Sequence, residues 1–88
     1  MERLEEQITV NKEHGLHARP ATIFVQLANK FNSSIRLDKA GEAVDGKSII
    51  AILSLGVNKG MQVNLIVEGS DSEEAMQELK KFLEAEDD

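Results

Sequence analysis

The spacing of apolar residues changes period several times along the chain, and each change marks an element. Leu4, Ile8 and Val10 fall on one face of an alternating stretch, which predicts a first strand. Residues 11–15 break that alternation. From Ala18 onward, Ala21, Phe24, Val25 and Ala28 recur at the i, i+3, i+4, i+7 spacing of an amphipathic helix. Pro20 suits the first turn of that helix, where its missing N–H has no intrahelical partner to lose. Ile35 and Leu37, set between Ser34, Arg36 and Asp38, predict a second strand, and Lys39-Ala40-Gly41-Glu42 a hairpin turn into a short third strand at residues 43–45.

The next segment, Ser48-Ile49-Ile50-Ala51-Ile52-Leu53, is too uniformly apolar to classify by period. Ser48 before it and Gly56 after it favour a short helix, N-capped by the serine and stopped at the glycine. Alternation returns at residues 62–68 with Val63, Leu65 and Val67 inward. Asp71-Ser72-Glu73-Glu74 then resembles a capping box, opening a last helix with Ala75, Leu79, Phe82 and Leu83 on one face. The acidic end, residues 84–88, opposes the helix dipole and should fray. The predicted order is β-α-β-β-α-β-α, an α+β two-layer sandwich with its helices on one side of the sheet, in a single domain over residues 1–88.

Composition narrows the function. At 88 residues with a formal net charge of −6, the chain lacks the clustered Lys and Arg that nucleic-acid binding demands. With three Phe and neither Trp nor Tyr, it offers no aromatic platform for bases or sugars. The absence of cysteine removes disulfides, thiolate metal sites and thiol nucleophiles, and fits a reducing cytoplasm. No apolar run reaches the length of a membrane span, and the charged start does not resemble a signal peptide, so a soluble cytoplasmic protein is expected.

The chemistry concentrates in His14-Gly15-Leu16-His17-Ala18-Arg19-Pro20-Ala21-Thr22. His17 is the last residue before the first helix, and Arg19 follows two positions later. A helix N-terminus offers unpaired N–H groups and a positive dipole end, a ready site for an anion. That field favours the neutral imidazole as a nucleophile towards phosphorus, and Arg19 and the dipole stabilise the phosphoryl group once attached. Gly15 permits the backbone angles such a turn requires. Gly46-Lys47-Ser48 echoes the end of a phosphate-binding loop, but the upstream glycine is out of register. With one reactive side chain and no metal, cofactor or carboxylate pair implied, the pattern suits a carrier rather than an autonomous enzyme. Taken singly, His17 would read as a capping or surface histidine, Arg19 as a solvated helix residue, His14 as an exposed turn residue, and Ile49, Ile50 and Leu53 as core.

Gly15-Leu16-His17-Ala18-Arg19-Pro20-Ala21 resembles the active-site signature of the HPr family, the histidine-containing phosphocarriers of the bacterial phosphoenolpyruvate:sugar phosphotransferase system. Lys47 to Gly56 resembles the family's second signature, around a regulatory serine. The resemblance covers essentially the whole chain. It implies an open-faced β-sandwich whose four-stranded antiparallel sheet, in the order 1-4-2-3, is covered on one face by three helices. It further implies that His17 accepts phosphate on Nδ1 from phosphorylated enzyme I and passes it to IIA domains of sugar permeases, with Arg19 helping to hold it. Ser48 matches the serine phosphorylated by HPr kinase/phosphorylase, whose product is a corepressor of a LacI-type catabolite regulator. Thr22, Ile49, Ile50 and Leu53 would belong to the docking surface.

Two features depart from that pattern. Ile50-Ala51 stands where relatives carrying the serine often have Met-Gly, which stiffens the docking surface. Gly46 is less usual before Lys47 and is expected to loosen the approach to Ser48. A regulatory paralogue in the family, acting mainly as a seryl-phosphorylated corepressor, lacks the active-site histidine; here His17 is present.

Overall fold

The computed structural model describes residues 2–86. Seven elements follow in the expected order: β1 (Arg3–Thr9), α1 (Ala18–Asn29), β2 (Ser34–Lys39), β3 (Glu42–Asp45), α2 (Ile49–Leu55), β4 (Gln62–Glu68) and α3 (Ser72–Glu84). The strands form one antiparallel sheet in the order β1-β4-β2-β3, with the helices on one face. Pairing aligns Ile8 with Val63, Leu4 with Val67, and both Leu37 and Glu6 with Leu65, so the period-2 apolar set shares the covered face.

That face and the helices close on a largely aliphatic core. Ile8, Val10, Leu16, Phe24, Leu37, Ile52, Leu65, Leu79 and Leu83 are all buried. Burial follows the helical periods: Ala21, Phe24 and Ala28 from α1, Ile52 and Leu55 from α2, and Ala75, Met76, Leu79 and Leu83 from α3. Val25 and Phe82 are only partly buried against this cluster. Lys80 of α3 reaches Glu6 of β1 at 2.7 Å and binds helix to sheet from above.

The hairpin between β2 and β3 pairs Lys39 with Glu42 across a two-residue loop in which Ala40 and Gly41 have φ of 53° and 89°. Positive φ at both positions is the type I′ pattern, whose twist matches that of the flanking strands. α2 begins as expected, the Ser48 hydroxyl accepting from the Ala51 N–H at 3.3 Å, and ends at Gly56, a left-handed C-cap at φ 70°.

Three expectations are corrected. β1 stops at Thr9, and the buried Val10 lies just beyond it, donating to the Met61 carbonyl at 2.9 Å. Asp71 is the N-cap of α3 but forms no capping box. Its carboxylate turns instead to residues 32–33 and accepts from the Ser33 hydroxyl and, at 2.9 Å each, from the Asn32 and Ser33 N–H groups. The Ser33 hydroxyl foremost, then the backbone donors, hold the Asp71 carboxyl below its ordinary range. Nor does Gly46 loosen the approach to Ser48. It is buried, its N–H bonds to the Ile35 carbonyl at 2.8 Å, and a Cβ there would sit 2.7 Å from Ile35 Cγ2. Of the acidic end, residues 87 and 88 lie outside the described residues; α3 itself ends at Glu84.

Candidate functional site

Residues 10–17 leave the sheet and are anchored at successive points before they reach His17. The Asn11 N–H donates to the Leu83 carbonyl at 2.8 Å, and the ammonium of the buried Lys12 lies 4.0 Å from the centroid of the Phe82 ring. Gly15 closes a turn onto the Lys12 carbonyl at 3.0 Å. Leu16 is then fully buried and donates its N–H to the Val57 carbonyl at 2.9 Å. Gly15 must be glycine on two grounds. Its φ is +65°, and a Cβ would lie 2.2 Å from the Val57 carbonyl oxygen and 2.7 Å from Asn58 Cα.

His17 is the N-cap of α1, with extended backbone at φ −124° and ψ 157°, and it makes no side-chain cap. Ala18 follows at φ +50°, in a left-handed region that costs an alanine about 1–2 kcal/mol. The first turn of α1 is therefore irregular where it follows His17. The half-buried imidazole meets Asn58 on the opposing loop, Nε2 lying 3.0 Å from Oδ1. Among the described residues, Nδ1 has no hydrogen-bond partner. Arg19 is exposed and makes no hydrogen bond or ion pair among those residues, so its guanidinium is available to an anion. Thr22 is exposed, and its hydroxyl donates back to the Ala18 carbonyl at 3.3 Å. His14 is exposed, as expected.

Ser48 lies at the other end of the same helix pair. The side-chain amide of Asn29, the last residue of α1, donates to the Lys47 carbonyl at 3.3 Å, and the Lys47 ammonium reaches the Phe31 carbonyl at 2.7 Å. α1 and α2 thus run antiparallel. His17 faces the chain just past the end of α2, and Ser48 faces the end of α1. α2 has 7 residues and is about 10 Å long, and α1 has 12 and is about 18 Å long, so the two residues are separated by roughly 10–18 Å. Between them, α2 turns Ile52 and Leu55 into the core and leaves Ile49, Ile50 and Leu53 at 36%, 73% and 42% exposure. Against the reading of these three as core, they form an apolar outer face. Asn58 escaped the sequence reading. It stands 41 positions from His17 in a loop, where an asparagine has no periodic signature.

A half-buried helix-start histidine beside an apolar helix face is the arrangement that the family comparison now identifies. The family model described as "PTS HPr component phosphorylation site" matches residues 4–85. The chain belongs to the HPr family. It is an HPr-family phosphocarrier of the Gram-positive type, with the open-faced sandwich of its relatives. The HPr-like protein Crh of Halalkalibacterium halodurans is 46% identical over 83 residues, 94% of this chain and 99% of that one. The crystal structure of HPr from Bacillus anthracis superposes with a TM-score of 0.90 at 40% identity, covering 92% of this chain and 96% of the other. HPr from Thermoanaerobacter tengcongensis gives 0.89 at 47% identity, covering 92% and 91%. Membership in HPr implies partner proteins of the phosphotransferase system in general. Among the described residues, no helix is long and apolar enough to cross a membrane.

Proposed function

We propose that residues 1–88 form one HPr domain that works in the cytoplasm as a stoichiometric phosphocarrier, not itself an enzyme. His17 takes a phosphoryl group on Nδ1 from phosphorylated enzyme I and yields it to IIA domains of sugar permeases. The observation that carries this reading is the state of the imidazole: Nε2 is engaged by Asn58 while Nδ1, at the start of α1, has no partner among the described residues. Arg19 steadies the phosphoryl group by charge-assisted hydrogen bonds. Thr22, Ile49, Ile50 and Leu53 form the docking surface, with the exposed apolar face of α2 at its centre.

In the same reading, Ser48 is phosphorylated by HPr kinase/phosphorylase, and the product binds a LacI-type catabolite regulator. A separation of roughly 10–18 Å exceeds the screening length of about 8 Å at physiological salt, so seryl phosphate acts on His17 only weakly by direct charge. It acts by placing charge beside Ile49 and Ile50, where docking would have to desolvate it. The capping hydroxyl already accepts from Ala51, so added acceptor oxygens leave α2 folded.

The similarity to Crh raises a second reading, a regulatory paralogue working mainly through seryl phosphate, against which stands the presence of His17. Incubation with phosphoenolpyruvate and enzyme I, followed by intact mass, separates the two. The carrier gains a single acid-labile phosphate that His17→Ala abolishes. A chain that gains none from active enzyme I, yet is phosphorylated on Ser48 from ATP, is the regulatory paralogue.

A further inference from the structure

The loop after α2 is fastened to the histidine loop by burial and by a backbone hydrogen bond. Leu16 and Val57 are both fully buried and joined by a backbone hydrogen bond, and Gly15 lets the two backbones touch. Asn58 follows Val57 directly. Its own backbone is fastened in a turn, the Met61 N–H donating to the Asn58 carbonyl at 3.1 Å and the Asn58 N–H reaching Met61 Sδ at 3.4 Å. Only the side chain of Asn58 is left to choose a partner, and it presents Oδ1 to His17 Nε2 at 3.0 Å.

An amide oxygen only accepts, so the imidazole must donate at Nε2. In a neutral ring, that leaves the lone pair on Nδ1. We infer that Asn58 is a positioning residue for phosphoryl transfer, holding the His17 proton on Nε2 so that Nδ1 is the nucleophile on arrival and the leaving atom on departure. The inference rests on the phosphocarrier reading of His17 and adds a residue to it.

The steps balance without any proton changing hands. On arrival, the Nδ1 lone pair forms the N–P bond as the bond to the donor's phosphohistidine breaks and its electrons return to the donor ring. His17 becomes an N-phosphorylated imidazolium, with the N–H still on Nε2 and still donating to Asn58. On departure, the N–P electrons return to Nδ1 and the neutral ring re-forms with the same proton in place. Loss of the Nε2 proton between these steps would make the leaving group an imidazolate, a far poorer one. A hydrogen bond from the charged ring is also stronger than one from the neutral ring, so Asn58 resists that loss in the intermediate.

The test uses nitrogen-15 NMR of the His17 ring in the unphosphorylated chain, at a pH where the ring is neutral, and needs no partner protein. The wild-type ring is expected in the Nε2–H form. Asn58→Ala moves the tautomer ratio towards the mixture of a free imidazole by roughly two- to tenfold, the worth of one hydrogen bond. Asn58→Asp keeps an accepting oxygen and retains the Nε2–H form. After phosphorylation, Asn58→Ala passes phosphate onward more slowly at high pH than wild type, while the two converge at low pH, where the ring keeps its proton unaided. A wild-type ring protonated on Nδ1 would mean that the amide is turned the other way, and would overturn the inference. So would an unchanged tautomer ratio in a folded Asn58→Ala. Neither result bears on whether His17 accepts phosphate at all, which the enzyme I experiment decides separately.

Discussion

Adding one methyl group at Gly15 tests how the fold sets the geometry of the site. In Gly15→Ala, the backbone must either keep φ at +65°, at about 1–2 kcal/mol for an L residue, or abandon the turn. In either case the Cβ cannot remain 2.2 Å from the Val57 carbonyl oxygen. Backbone rather than a side-chain tip lies in the way, so the two loops must separate, at the cost of about 1–3 kcal/mol typical of overpacking. The expected total is about 2–5 kcal/mol, a large share of the roughly 5–15 kcal/mol that stabilises a small domain. Gly60→Ala is the control: φ there is +89°, yet nothing lies within 4 Å of its Cβ, so only the conformational part, about 1–2 kcal/mol, applies. Urea unfolding at constant m reads both losses. Parting the loops also withdraws Asn58 from His17, so the Gly15 variant alone should lose transfer rate beyond its loss of folded protein. Equal destabilisation in the two variants would refute the steric argument.

Other consequences can be read from single residues. The Asp71 carboxyl is held below its ordinary value of 3.8 by Ser33 and backbone donors, so its contribution to stability is full above that value. The contribution is lost as pH falls through the lower folded-state value, and Asp71→Asn should flatten this acid limb in urea midpoints taken from about pH 5 to about pH 2. Ala40, at φ +53° in a type I′ turn, is replaced with profit by asparagine: Ala40→Asn should raise thermal stability by up to about 1 kcal/mol with transfer unchanged. Ser48→Ala removes a cap made at 3.3 Å and should cost about 0.5–1 kcal/mol in urea unfolding, while leaving phosphate acceptance from enzyme I within about twofold.

Much of this architecture was legible because local chemistry and tertiary packing agree. The turn at Ala40-Gly41, the Ser48 cap and the Gly56 stop are decided within a few residues, and all stand where the sequence places them. Asp71 misled for the converse reason. Its spacing to Glu74 is that of a capping box, but Asn32 and Ser33, far away in sequence, supply three donors that the box cannot match. Gly46 misled too, because a glycine reads locally as freedom, whereas here it marks a place where Ile35 leaves no room. The site divides along the same line. His17, Arg19 and Ser48 sit in dense local motifs, while Asn58 acts only across the gap between two loops, and pairing of that kind leaves no local trace.

In the proposed function, His17 relays phosphate rather than merely bearing it. Labelled phosphoenolpyruvate, catalytic enzyme I, this chain and a purified IIA domain, sampled over time, test that claim most directly. Label should pass through an acid-labile adduct of the chain to the IIA domain, with none transferred when the chain is His17→Ala. Label that never reaches the IIA domain from a folded wild-type chain, with enzyme I charged and a known HPr active in the same assay, would contradict it.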